Sequence, residues 1–148
     1  MSDTVFRNKI QMRNFAYDGE MRMDEETVKR AVASFLERQG YNVATAKKRE
    51  QGADMRATKE GLNLIIEAKG EYPRSARYNN NFLIALGQIL RRRSMQGAEY
   101  GVALPAHAKY VRLIDQLDDS LVRFELRLNF FLVHKDGSQV GLLKWDVR

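Results

Sequence analysis

The chain has 148 residues, of which 44% are hydrophobic and 30% charged, and its formal net charge is +6. These values are typical of a globular protein, and the length predicts a single domain over residues 1–148. The absence of cysteine excludes disulfides and thiolate metal sites, and no apolar run is long enough to cross a membrane. Because residues 1–7 also lack the apolar core of a signal peptide, we expect a cytoplasmic location.

Hydrophobic periodicity predicts nine helices and strands after an N-terminal arm. The arm, residues 1–22, shows no clean period, and an added strand or a dimer contact are the alternatives for it. The nine elements are predicted, in chain order, as a helix from the N-cap Asp24 to Gly40, strands over 41–44, 55–58 and 62–66, a helix over 80–95, a strand over 100–104, a helix over 106–117, and strands over 121–133 and 139–145. This order predicts an α/β fold with a mixed sheet flanked by helices, and Asp136-Gly137 predicts the turn of a C-terminal hairpin over 121–148.

Two carboxylates and a lysine come together in the hairpin predicted between the second and third strands. Lys59-Glu60-Gly61 is the expected turn, because glycine tolerates the backbone conformation that a tight turn requires. The turn brings Asp54 back beside Glu67. Side chains alternate between the two faces of a strand, so Glu67 and Lys69 project from the same side. Two acids and a lysine in this arrangement predict a metal-dependent phosphodiesterase.

The pattern of Asp54 followed by Glu67-Ala68-Lys69 resembles the active-site motif of the PD-(D/E)XK nuclease superfamily, which has the restriction-endonuclease-like fold. Ala53 stands where these nucleases usually have a proline. A helix with an acidic first turn precedes the motif, and a helix with Gln88 follows it, as in several branches of the superfamily. The resemblance covers about residues 24–105, the core of the predicted domain, and implies a metal-dependent DNA endonuclease.

The resemblance also implies roles for the residues of the motif. Asp54, Glu67 and the backbone carbonyl of Ala68 are expected to hold the metal ion, and Lys69 to hold the attacking water. Gln88, on the helix predicted over 80–95, is expected to hold the lysine, a water or a DNA phosphate. Carboxylate ligands favour Mg²⁺ or Mn²⁺ as the ion.

A glutamate on the first helix completes such sites in the members that resemble junction resolvases, and Glu25 and Glu26 are the two candidates here. Glu25 shares its helix face with Val28, in the stripe that must face the sheet. Glu26 shares its face with Lys29 and Arg30, which we expect to be solvated. Glu25 is therefore the expected metal ligand, and favourable placement at a helix N-terminus is the alternative explanation for it.

The positive charge of the chain is concentrated around the motif. Residues 41–100 contain eleven lysines and arginines against six acidic residues. A basic surface around an acidic site suits a polyanion, so we expect DNA contacts from Arg74, Arg77, Tyr78 and Arg92. An ordinary solvated surface is the alternative for these residues.

These observations together predict a Mg²⁺-dependent DNA endonuclease. A non-catalytic nucleic-acid-binding module with the same fold, or an interaction subunit of a larger complex, are the alternatives, and metal titration separates the enzyme from both. Because the chain is small and duplex cleavage requires two cuts, we expect a homodimer or a larger DNA-processing complex.

Overall fold

The computed structural model of the protein describes residues 3–19, 23–45, 53–71, 76–92, 98–135 and 137–144. Seven strands, four helices and one π-helical turn occur in these ranges. In chain order they are β1 (Thr4–Phe6), α1 (Lys9–Phe15), α2 (Glu25–Arg38), β2 (Asn42–Thr45), β3 (Met55–Lys59), β4 (Leu62–Ala68), α3 (Ala76–Arg92), β5 (Ala98–Pro105), α4 (Ala108–Asp115), the π-helical turn (Leu121–Glu125), β6 (Leu128–Val133) and β7 (Val140–Leu143).

The seven strands form one mixed sheet in the order β1-β7-β6-β5-β4-β3-β2. β4, β5 and β6 are parallel, whereas β2, β3 and β4 are joined by antiparallel pairing. On the other side of β6, β7 pairs antiparallel with it, and β1 pairs parallel with β7. The predicted α/β class with a mixed sheet is confirmed.

Helices cover both faces of the sheet, and each face has its own hydrophobic core. α2 covers one face, where Val28 and Phe35 lie in one buried cluster with Ile66 of β4. The other face is covered by α1, α3 and α4, and there Phe82 of α3 shares a cluster with Ile65 of β4. Ile65 and Ile66 face opposite ways because they are consecutive residues of a strand. The end of β4 therefore lies between α2 on one face and α3 on the other.

Helix α2 begins and ends close to where the sequence predicts. The Asp24 carboxylate caps it by accepting a hydrogen bond of 2.8 Å from the Thr27 N–H. Its apolar stripe is buried against the sheet as expected. Beyond its last residue, Gly40 has a φ of +93°, a conformation that glycine adopts easily and that ends many helices.

The prediction of one long strand over residues 121–133 is wrong. Leu121–Glu125 is instead a π-helical turn, and the Asp118 carboxylate just before it accepts a hydrogen bond of 3.0 Å from the Leu121 N–H. Arg127, with a φ of +52°, then turns the chain into β6. All six residues of β6 are buried, since helices cover both faces of the sheet, and this explains why its residues do not alternate between apolar and polar.

The N-terminal part and α3 also differ from expectation. Residues 4–6 do form an added strand, but the helix α1 that follows it was not predicted. α3 begins at residue 76 rather than 80, and Leu90 on this helix is 54% exposed. Asp136 of the predicted turn and residue 145, the predicted end of the last strand, lie outside the described residues. Among the helices that the structure describes, none is both long and apolar enough to cross a membrane.

Candidate active site

The hairpin of β3 and β4 places Asp54 beside the end of β4. Lys59 pairs with Leu62, so Glu60 and Gly61 alone form the turn, and both have positive φ values, of 49° and 83°. A two-residue turn of this kind matches the twist of the strands it joins. Asp54 directly precedes β3, and its Oδ2 accepts a hydrogen bond of 2.8 Å from the Ala68 N–H.

Glu67 lies inside the protein next to Asp54, and only 1% of it is exposed. Burial, a hydrogen bond to the Asp54 side chain and the charge of Asp54 together raise the pKa of Glu67 to about 7. Arg92, at the end of α3, opposes this shift because its Nε donates a hydrogen bond of 2.6 Å to Glu67 Oε1. The site therefore contains two carboxylates that repel each other and that a cation would stabilise.

Lys29 of α2 belongs to the same site, although we expected it to be solvated. That expectation is wrong, because only 4% of Lys29 is exposed. Its Nζ lies 3.5 Å from Glu25 Oε2, 3.5 Å from Glu26 Oε1 and 4.0 Å from Asp54 Oδ1. Burial lowers the pKa of Lys29, but the charge of Asp54, followed by those of Glu25 and Glu26, outweighs burial and raises it. The one sequence signal for a buried Lys29 is that it directly follows Val28, which belongs to the apolar stripe of α2. From that position the long aliphatic stem of a lysine can extend toward the sheet.

A buried hydrogen-bond network fixes the beginning of α2 beside the site. Glu71, which follows the motif, accepts hydrogen bonds from the Tyr17 hydroxyl at 2.8 Å and from the Met23 N–H at 2.7 Å. The backbones of Gly70 and Glu25 touch, and a Cβ added at Gly70 would lie 2.5 Å from the Glu25 nitrogen. Only glycine fits there, and the sequence prediction missed both Glu71 and this contact.

The motif lysine directly follows β4, and the glutamine lies on α3. Lys69 is partly buried, and its N–H donates to the Ala103 carbonyl at 3.0 Å, which continues the pairing of β4 with β5. Gln88 lies one turn before Arg92 on α3. Its Oε1 is buried and has no hydrogen-bond partner in the part of the chain that the structure describes. An amide oxygen in this state can accept a hydrogen bond from a water or an ammonium group.

The four predicted DNA contacts occupy different environments. Arg92 is the arginine paired with Glu67, and Arg77 is exposed on the first turn of α3. Tyr78 is only 8% exposed, and its ring packs against His107 and Tyr110, with centroids 5.0 and 4.8 Å away. Arg74 lies outside the described residues.

The donor set of the site suits a hard divalent cation. Asp54 and Glu67 contribute carboxylates. Ala68, whose carbonyl is the further expected ligand, follows Glu67 in the chain and lies across the hairpin from Asp54. The described residues contain no group of three or more acidic, histidine or cysteine side chains that could hold a metal. Two carboxylates and a carbonyl nevertheless suffice for Mg²⁺, which keeps several of its waters. Glu25, the third carboxylate among the expected ligands, forms an ion pair with Lys29.

The middle of the chain matches the model of a known protein family. The family model described as Mrr_cat, restriction endonuclease, matches residues 21–104, which is more than half of the chain and includes α2, the β3–β4 hairpin and α3. No curated protein and no solved structure matches the chain.

Proposed function

The chain belongs to the restriction endonuclease family Mrr_cat, and on that basis we propose that it is a metal-dependent endonuclease that hydrolyses phosphodiester bonds in DNA. The observation that carries this proposal is the pair formed by Asp54 and the buried Glu67, whose pKa is raised by burial and by the neighbouring Asp54 carboxylate. The pair lies inside the matched region, as the site of such an enzyme must. Perturbed acids of this kind are frequent at functional sites.

We assign the roles within the site as follows. Asp54, Glu67 and the Ala68 carbonyl hold Mg²⁺ or Mn²⁺, which when bound activates a water and offsets negative charge on the phosphate. Lys69, on the same side of the strand as Glu67, orients the attacking water. Gln88, whose Oε1 is a buried acceptor on α3, is proposed to hold the lysine, a water or a DNA phosphate. Arg92 restrains the Glu67 carboxylate by its hydrogen bond to Oε1.

For DNA contacts we propose Arg77 and Arg92, together with Arg74 of the preceding segment. Arg77 is exposed, and it lies on the helix whose last turn carries Arg92. The buried ring of Tyr78 is used in packing and is not part of this surface. Since one site makes one cut, we further propose that duplex cleavage requires a second copy of the chain or a partner.

One contact supports an alternative function, that of a non-catalytic DNA-binding module. Arg92 neutralises Glu67 at a distance of 2.6 Å, so the chain itself supplies a cation where a metal would act. In such a module the Arg92–Glu67 pair would be structural, and divalent cations would have no effect on it. The two functions therefore differ in their response to metal.

A cleavage assay on duplex, single-stranded and branched DNA, with Mg²⁺, Mn²⁺ or a chelator, tests the proposal. Wild type should cut only with metal, and Asp54→Asn or Glu67→Gln should each lower the rate at least about a hundredfold. Glu37→Gln is the matched control, because Glu37 is an exposed acid on α2. Metal-independent binding without any cutting would favour the non-catalytic module.

A further inference from the structure

Lys29 is a charged side chain that α2 and the sheet enclose almost completely. Its Nζ contacts Glu25 and Glu26 within the helix, both at 3.5 Å, and approaches Asp54 Oδ1 to 4.0 Å. Burying an ammonium group is unfavourable unless carboxylates compensate it. The position of Lys29 is therefore explained by the acids around it, of which Asp54 is the one on the sheet.

The contact with Asp54 differs from the two contacts within the helix. The side chains of Glu25 and Glu26 are 32% and 65% exposed, so water and salt screen these pairs. Asp54 is 25% exposed, and its other oxygen already accepts from the Ala68 N–H. Because only 5% of the Lys29 side chain is exposed, its charge lies beside Asp54 and not in bulk solvent. It is a fixed charge of the acidic site.

We propose that Lys29 is a built-in cation of the metal site, which neutralises Asp54 in the DNA-free protein and so lowers the affinity of the site for divalent cations. The inference rests on the proposed function, since it takes Asp54 as a metal-binding group. A fixed positive charge close to a ligand oxygen repels a dication. Lys29 also pairs with Glu25, through Oε2 at 3.5 Å. Lys29 is thus a positioning residue that acts through Asp54.

Calorimetric titration of the DNA-free protein with Mn²⁺ tests this inference without relying on activity. Lys29→Met keeps most of the aliphatic stem and removes the charge, and Lys29→Gln keeps an amide that can bond Asp54 if the methionine variant does not fold. Both should lower the Mn²⁺ dissociation constant at least about tenfold. Arg30→Met removes the same charge from an exposed position of α2 and should change it less than about twofold.

An Asp54→Asn variant separates a failure of this inference from a failure of the proposed function. It should weaken Mn²⁺ binding at least about tenfold, because it removes a ligand charge. Wild-type affinity in Asp54→Asn would refute the proposed metal site and the inference with it. Weakened binding in Asp54→Asn, combined with unchanged or weaker binding in a folded Lys29 variant, would refute the inference alone. If Lys29 has only a structural role, its replacement should leave Mn²⁺ binding unchanged or weaker, which is this second outcome.

Discussion

Replacing Glu67 by glutamine should change how the stability of the protein depends on pH. In the folded protein the pKa of Glu67 is raised from its ordinary 4.5 to about 7, because the carboxyl is buried and faces Asp54. The folded state therefore binds the proton more tightly than the unfolded chain does. The contribution of this group to stability is fully present below pH 4.5 and is lost as the pH rises to 7. Over that interval it amounts to up to about 3 kcal/mol.

Urea denaturation of the metal-free protein at several pH values between 4.5 and 8 measures this effect. Wild type should lose stability toward pH 7 relative to Glu67→Gln, in which the amide stays neutral throughout. Glu37→Gln, an exposed acid of α2, should follow wild type. Other groups titrate in the same range, so the informative quantity is the difference between wild type and Glu67→Gln. If that difference does not vary with pH, Glu67 does not share a crowded acidic site with Asp54, and the argument for metal binding fails.

Three further predictions concern the surroundings of the site. Glu25→Gln should reduce DNA cleavage, in the assay with Mg²⁺ or Mn²⁺, more than Glu26→Gln does. Glu25 is the less exposed of the two acids, so its charge offsets more of the Lys29 charge beside Asp54. Gly70→Ala should destabilise the protein by about 2 kcal/mol in urea melts, because its Cβ would meet the Glu25 backbone, whereas Gly87→Ala, with open space around it in α3, should be neutral or stabilising. Arg77→Gln should flatten the slope of log K for DNA against log salt by up to about 0.9, and an unchanged slope would place the DNA elsewhere.

Local features of this protein were predictable from the sequence, and contacts between distant elements were not. The approach of Asp54 to Glu67 depends on one two-residue turn, so spacing and alternation were sufficient to predict it. Lys29 and Arg92 reach the site from helices on opposite faces of the sheet. Their positions depend on how each helix is rotated and seated on the core, which a single-sequence pattern leaves open.

The wrong prediction of a strand from residue 121 also concerns a feature that the sequence pattern leaves open. The segment is rich in apolar residues, and apolar residues alone do not separate a buried strand from a short helical turn. The hydrogen bond from the Leu121 N–H to Asp118 precedes the turn and the positive φ of Arg127 follows it, and a positive φ at an arginine has no sequence signal. The prediction of a strand is correct for the residues after Arg127, which form β6.

The pairing of β1 with β7 has a consequence for the order in which the protein folds. Thr4 pairs with Gly141, and beside this pair Asp3 accepts a hydrogen bond from Val140, 137 residues later in the chain. The edge strand β1 is therefore held by contacts with residues at the far end of the sequence. Contacts of such long range form slowly, because a long loop must be ordered first. During synthesis on the ribosome, the β3–β4 hairpin that carries Asp54 and Glu67 emerges long before β7, so these two acids can come together before β1 pairs with β7.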